Sequence, residues 1–498
     1  MLSILLGHSY FLRLDPKQWQ RAKPYPPLAT LQVAARLRSL GHQVQLFDAM
    51  LADGIGEYER QLHRDKPQLV LLYEDNYNFL TKMCLERMRG AACRMIKEAR
   101  RTGARVIVAG SDATDEPDAY LAAGADAVLA GEGISALEVL LVRLDEHPTV
   151  GGIRLVEGVA GATAGSSERT AGRTPRMAIP PARGELPPPA WDLVDVERYR
   201  DIWRRAHGRF SLNMAASRGC SFRCAWCAKP IWGNQYLQRP ADEVAAEMTR
   251  IKRELAPDHI WFADDIFGFR VDWVSEFARS LAVSGGSIPF TIQTRADLIS
   301  ERMAAALRKA GCQEAWLGAE SGSQRVLDAM NKGIRVAEIH TARARLRTAG
   351  IRVGFFIQLG YLGEELSDIL ATRELIETAR PDDVGVSVSY PLPGTKFHDL
   401  VSAQLGEKTH WQASGELAMM FHGTYTSPFY REVRDLLHEE VRISSLHEAA
   451  RSDSDDLRRS LQRRWDRLLA CQQSFRNTLP AATPAAAAGT ASPAVGFR

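Results

Sequence analysis

Two blocks of alternating apolar runs and helical patterns, parted by a stretch that permits neither, constrain this chain more than any single residue does. In the first block, apolar runs at 1–6, 43–47, 68–73, 105–109 and 127–130 alternate with helical spacings at 28–40 and 83–100. That alternation predicts parallel strands joined by crossover helices. From about 150 the composition turns to Gly, Ala, Thr, Arg and Pro, closing in Leu186-Pro187-Pro188-Pro189, which continues neither a helix nor a central strand. Strand-like runs then recur at 211–215, 259–262, 290–294, 315–318, 353–359 and 384–390 with helical stretches between them. Six such units predict an open or partial barrel. The expected fold class is therefore α/β: a Rossmann-like, flavodoxin-type domain over 1–150, a linker over 151–200, a partial (β/α)6 barrel over 201–400, a helical cover over 401–477 and a disordered Ala-, Pro- and Thr-rich tail at 478–498.

Composition narrows the function. Lys plus Arg is 63 against 60 for Asp plus Glu, and a net +3 over 498 residues gives no general attraction for nucleic acid. The longest apolar runs, at 69–73 and 127–130, fall far short of the ~18 residues of a membrane span. Residues 1–6 lack a basic lead-in and a small-residue cleavage site, so they read as a strand rather than a signal peptide. The expectation is a cytoplasmic protein with a small-molecule substrate, no nucleic-acid partner and no integral membrane association.

Of seven cysteines, Cys84, Cys93, Cys312 and Cys471 stand alone and read as small buried hydrophobes. The other three crowd into Cys220-Ser221-Phe222-Arg223-Cys224-Ala225-Trp226-Cys227, just after the first barrel strand. Structural zinc takes four closed ligands, and no fourth Cys or His lies at a finger spacing from this loop. A four-iron cluster suits three thiolates better, because one iron stays open to chelate a small molecule bearing adjacent amino and carboxylate groups.

This CxxxCxxC spacing, with Trp226 before the last cysteine, resembles the signature of the radical S-adenosylmethionine superfamily. The resemblance implies a 4Fe-4S cluster on Cys220, Cys224 and Cys227, S-adenosylmethionine on the open iron, and a reducing partner such as flavodoxin or ferredoxin. Reductive cleavage then yields methionine and a deoxyadenosyl radical that abstracts hydrogen from unactivated carbon. The remaining strand ends match the family in order: Phe262-Ala263-Asp264-Asp265, Gln293-Thr294-Arg295, Gly318 to Ser323, Gln358-Leu359-Gly360-Tyr361, and Tyr390 to Thr395. Trp226, Asp265, Arg295, Glu320, Ser323 and Gln358 are thereby expected around S-adenosylmethionine. Read alone, Asp264-Asp265 is equally a strand-end turn, Arg295 a surface cation and Glu320 a capping carboxylate. Lys229, Pro230 and Gly233 resemble the loop that folds back over the cluster.

The α/β block that precedes the barrel resembles the cobalamin-binding domain of cobalamin-dependent members, the group of the anaerobic Mg-protoporphyrin cyclase and the cobalamin-dependent methyltransferases. Pro26, Gly110, Ser111, Asp112, Gly131, Glu132 and Gly133 are the expected cobalamin contacts, although Gly-rich strand ends suit any nucleotide-like ligand. The DxHxxG loop that often supplies a lower axial histidine is missing. His8, in Gly7-His8-Ser9-Tyr10, reads as a loop or corrin-contacting residue, so a histidine-off cofactor is expected. Glu74-Asp75-Asn76-Tyr77-Asn78 either lines a cavity or forms an Asx turn.

In the carboxyl-terminal segment, Val433, Leu436, Leu437 and Val441 fall at helical spacing and read as core. His422 and Tyr425 are candidate catalytic groups over the barrel mouth, with a purely structural role as the alternative. Taken together, the resemblance implies a methyltransferase acting on an unactivated carbon. The alternatives are a cyclase or rearrangement enzyme, an RNA methylthiotransferase, or a non-catalytic cobalamin or redox sensor. The methylthiotransferase needs three amino-terminal cysteines, and only Cys84 and Cys93 precede residue 200.

Overall fold

The computed structural model describes residues 1–78, 86–146, 159–161, 187–227, 235–405, 417–446 and 451–477. Cys84, Lys229, Pro230, Gly233 and the tail beyond 477 lie outside the described residues.

The first sheet contains β1 (Ser3–Gly7), β2 (Gln43–Phe47), β3 (Leu69–Tyr73), β4 (Arg105–Ala109), β5 (Ala127–Leu129) and β6 (Val159–Gly161) in the order β2-β1-β3-β4-β5-β6. The first five are parallel, and β6 joins antiparallel to β5. β3 is buried at every position, as a central parallel strand covered on both faces must be, and its Leu-Val-Leu-Leu-Tyr run follows from that. β2, at the edge, alternates exposed Gln43 and Gln45 with buried Val44 and Phe47. Chain direction across the sheet reverses between β1 and β3, and a doubly wound sheet opens a crevice above the carboxyl ends of such a strand pair.

Two details differ from the sequence expectation. Residues 159–161, inside the stretch read as linker, add the edge strand β6. The helix Val196–His207 spans the expected boundary at residue 200, with Val196, Tyr199 and Trp203 buried on one stripe. It docks on the first domain: Trp203 Nε1 donates to the Pro24 carbonyl at 2.7 Å, and the Tyr199 hydroxyl donates to Asp48 at 2.7 Å.

The second sheet is wholly parallel and runs in simple sequence order from one edge to the other: β7 (Ser211–Met214), then β10 (His259–Phe262), β11 (Phe290–Thr294), β12 (Cys312–Glu320), β13 (Arg352–Leu359) and β14 (Asp383–Val388). These are the six predicted barrel strands. An additional antiparallel ribbon, β8 (Ser217–Gly219) with β9 (Tyr236–Gln238), brackets the cysteine loop. Three-residue strands carry too little periodicity to be read from sequence.

One continuous apolar core runs from the first domain through Trp203 and the barrel strands to Tyr430 and Trp465. The helix Ser427–Ser444 buries Val433, Leu436, Leu437 and Val441, as expected. Of the solitary cysteines, Cys312 is buried, Cys93 is half-buried and Cys471 is exposed, so the buried-hydrophobe reading fails for Cys471, which lies at the end of the helix Arg451–Cys471. Among the described residues no helix is long and apolar enough to cross a membrane.

Candidate functional site

The cysteine loop leaves the barrel at β8. Its lead-in is held by Asp264, whose carboxylate accepts the Ala216 N–H at 3.0 Å and the Ser217 hydroxyl. Burial pushes the Asp264 carboxyl up to about 7, and those hydrogen bonds oppose the shift. Further along, the Ala225 N–H donates to the Met330 carbonyl at 2.8 Å, and the Ala225 carbonyl accepts from the Phe397 N–H at 2.9 Å. The loop is thus tied to the barrel by its backbone, which leaves the thiols of Cys220, Cys224 and Cys227 unbonded to one another. Cys220 is buried and the other two are half-buried. Among the described residues no three Cys, His, Asp or Glu side chains converge tightly enough to hold a metal ion as they stand. The donor chemistry nonetheless suits an iron-sulfur cluster, because three cysteines on one anchored loop, none in a disulfide, are the usual ligands.

Arg295 lies against this loop. Its guanidinium sits 3.7 Å from the centre of the Phe222 ring, its Nη1 is 3.9 Å from Cys224 Sγ, and it bonds both Asp297 oxygens and the Lys332 carbonyl. It is not a surface cation: burial, a ring face and a carboxylate hold its charge beside the sulfur. Glu320 ends β12 at φ +60°, where the register with β13 slips, and its carboxylate accepts from Lys332 Nζ at 2.7 Å. Both partners are buried. A non-glycine residue in the left-handed region is strained, and this ion pair is part of what holds it there.

The other expected S-adenosylmethionine contacts divide into two groups. The Ser323 hydroxyl is engaged by the protein, donating to Asp368 at 2.6 Å and capping the helix Gln324–Ala329. Gln358 Oε1 and Trp226 Nε1 are buried with no partner among the described residues. Thr294 Oγ1, Asn213 Oδ1 and Ser389 Oγ, toward the carboxyl ends of β11, β7 and β14, share that condition. Asp265 is half-buried beside Asp264.

In the first domain, most of the expected cobalamin contacts are occupied by protein. Asp112 grips Arg89 with both oxygens and accepts from the Tyr120 hydroxyl. The Pro26 carbonyl accepts from Asn213 on β7 at 3.0 Å. A Cβ at Gly110 would stand 2.7 Å from Glu74 Cγ, so glycine there makes room for the Glu74 side chain. Ser111 is half-buried at the first position of the helix Ser111–Asp115. Gly131 and Gly133, at φ +69° and +74°, make the turn that presents Glu132. The Glu132 carboxylate pairs with Arg218 on β8, two residues before Cys220, and both side chains are largely buried. His8 is buried against Asp48 at 3.2 Å; burial pulls its pKa down, but the Asp48 hydrogen bond and the nearby carboxylates outweigh this and raise it. Asn76 is fully buried with both amide atoms unpartnered among the described residues.

In the carboxyl-terminal cover, the Tyr425 ring is buried on Phe429, and its hydroxyl donates to Gln472 at 2.9 Å. His422 is exposed. The His422 backbone N–H donates to Gln404 Oε1 at 3.0 Å. Lys332, Arg218, Asp264 and Glu364 were missed as site residues. Glu364 is buried beneath Gly360, whose N–H it accepts at 2.6 Å; burial pushes its carboxyl up to about 8. Arg218 had a readable signal, as a cation two residues ahead of a thiol cluster. Lys332 had none, because only the fold brings it to Glu320.

Comparison with known proteins fits this geometry. Residues 214–376 match the model of the radical SAM superfamily. An uncharacterized methyltransferase of Pyrococcus horikoshii is 25% identical over 280 residues, covering 56% of this chain and 58% of its own. The anaerobic magnesium-protoporphyrin IX monomethyl ester cyclase of Rubrivivax gelatinosus is 25% identical over 286 residues, 57% of this chain and 49% of its own. The chain thus spans about half the length of these curated relatives. The solved structure of the methyltransferase TsrM from Kitasatospora setae, with cobalamin and a [4Fe-4S] cluster bound, superposes with a TM-score of 0.62 at 18% identity over 80% of this chain and 78% of that one. The two-sheet fold therefore resembles that of TsrM, and the stretch that matches the radical SAM superfamily model takes in the cysteine loop and most of the barrel.

Proposed function

We propose that this chain is a cobalamin-dependent radical S-adenosylmethionine enzyme that methylates an unactivated carbon of a small metabolite. The observation that carries the reading is the joining of two ligand-binding strand ends. The β5 loop of a flavodoxin-order sheet is clasped, through Glu132 and Arg218, to the strand that leads into Cys220. A ligand held by the first sheet and one held at the cysteine loop would then serve one cavity. When bound, the cluster with S-adenosylmethionine supplies a carbon-centred radical and cobalamin supplies a transferable methyl group.

The chain's own residues have distinct parts in this reading. Cys220, Cys224 and Cys227 hold the cluster, and Arg295 keeps a positive charge beside Cys224. Glu320, fixed by Lys332, and Gln358, with its free amide oxygen, offer acceptors to the amino and ribose groups of S-adenosylmethionine. Trp226 packs against the apolar cluster that contains Val326, Met330 and Phe397. Electrons come from a flavodoxin- or ferredoxin-like reductant.

The test is anaerobic incubation of the reconstituted, reduced, cobalamin-loaded protein with methyl-labelled S-adenosylmethionine. Labelled methylcobalamin on the protein is the expected result, and its absence overturns methyl transfer. The kinship with the Rubrivivax cyclase supports a second reading, cyclisation or rearrangement. A converted substrate that lacks the label would establish that one instead.

A further inference from the structure

We propose that Asn76 is the residue through which the first domain hydrogen-bonds its corrinoid, the amide serving as both donor and acceptor to the ligand's peripheral carboxamides. This rests on the cobalamin reading above. Asn76 lies three residues beyond β3, beside the point where strand order reverses, the place in a doubly wound sheet where ligands bind. It is fully buried, yet neither its Oδ1 nor its Nδ2 has a partner among the described residues. Its neighbours are committed. Glu74 accepts the Ser9 N–H at 2.9 Å, while Asp75 accepts the Ala29 N–H at 3.0 Å and the Tyr77 N–H at 3.2 Å. The two carboxylates therefore shape and anchor the turn, and Asn76 between them and Tyr77 keeps an amide with two atoms unsatisfied among the described residues.

Buried polar groups without partners are rare in folded proteins, and each one calls for an explanation. Leucine has nearly the same size and shape as asparagine and would fill this site without the cost of desolvating an amide. The presence of an amide here points to a ligand that pairs with it. A corrin ring carries carboxamides around its rim, each offering both N–H and C=O, which matches the donor and acceptor that Asn76 leaves free.

The test uses the full chain, with and without hydroxocobalamin. Asn76→Leu should leave the melting temperature of the cobalamin-free protein unchanged or raise it, while weakening hydroxocobalamin binding about tenfold, the loss expected for two modest hydrogen bonds. Asn76→Ala serves the same purpose if the leucine variant fails to fold. Equal affinity in wild type and variant overturns the inference and leaves the cofactor reading standing. A wild-type chain that binds no cobalamin overturns both. If both variants melt lower without ligand and bind as wild type does, Asn76 pairs inside the protein or with a trapped water, and the inference falls.

Discussion

Replacing Arg218 with methionine tests the physical link between the two halves. The Glu132 and Arg218 side chains retain 5% and 13% of their exposure, and the Tyr73 hydroxyl donates to the Glu132 carbonyl at 2.6 Å, which pins the loop that carries the carboxylate. Burial disfavours the charged guanidinium, but the Glu132 carboxylate more than offsets it and Arg218 stays firmly protonated. Removing one member of such a pair strands the other charge in a poor solvent, at a cost of about 3–5 kcal/mol. Arg218→Met strands a carboxylate outright. Glu132→Gln keeps an oxygen that still accepts from the guanidinium, so it should cost less. The double replacement Glu132→Leu with Arg218→Met leaves no stranded charge and should return most of the loss. Because the chain has two sheets, a single global unfolding energy is poorly defined, and the readout should be local. Hydrogen exchange of peptides covering 131–133 and 217–219 serves: about 3 kcal/mol corresponds to roughly hundredfold faster exchange in the single Arg218 variant. Single-variant effects below about 1 kcal/mol, with no recovery in the double variant, would mean a solvent-screened contact and would refute the clasp.

Further outcomes follow from the site itself. Cys220→Ala, Cys224→Ala and Cys227→Ala should each lose the reconstituted four-iron cluster while Cys312→Ala keeps it, as read by iron and sulfide content and paramagnetic resonance; full iron in all three variants would end the assignment. Gly318→Ala would place a Cβ 2.6 Å from Lys332 Nζ and 2.8 Å from Glu320 Oε1, splitting the buried pair. A loss of about 1–3 kcal/mol is expected for such overpacking, and an unchanged melting temperature would count against the pair. Asp264 has its folded pKa raised to about 7 from an ordinary 3.8, so the folded state holds the proton more tightly. Its contribution is present in full below about pH 4 and is lost as pH rises toward 7. Asp264→Asn should therefore flatten the fall in urea midpoint between pH 5 and pH 7, and parallel profiles would show that the carboxyl titrates normally.

Strand periodicity made both sheets readable, because buried parallel strands such as β3 and β13 are nearly continuous apolar runs. The cysteine loop was readable for a different reason: three thiols within eight residues suit few chemistries. Side-chain pairing was not readable. Ser323 and Asp112 are the right residue types for ligand contact, yet Asp368 and the Arg89–Tyr120 pair hold them, and these partners are distant enough in sequence that only folding brings them together. Lys332 comes back to Glu320 in the same way, across the short helix Gln324–Ala329. The strand β6 escaped notice because a three-residue edge strand in a Gly- and Ala-rich stretch carries almost no pattern.

The barrel shows why the unsatisfied atoms are informative. At the amino ends of its strands, Ser211 bonds His259 Nδ1 at 2.9 Å, His259 Nε2 bonds Thr291 at 2.9 Å, and the Tyr25 hydroxyl lies 3.1 Å from Ser211. Burial pulls the His259 pKa down to about 3, so the ring is neutral, and a neutral imidazole can satisfy one neighbour as donor and the other as acceptor. Across three adjacent strands, that end of the barrel pairs these polar groups with one another. Toward the carboxyl ends of the barrel strands, Asn213 on β7, Thr294 on β11, Gln358 on β13 and Ser389 just after β14 each keep a buried polar atom with no partner among the described residues. Among the described residues, the polar groups named at the base are paired and those named at the mouth are not. Since leaving a buried donor or acceptor unpaired costs about 1–3 kcal/mol, the imbalance is stable only if something else fills the mouth. The cysteine loop opens at that same end, so these atoms and the three thiols lie on one side of the barrel.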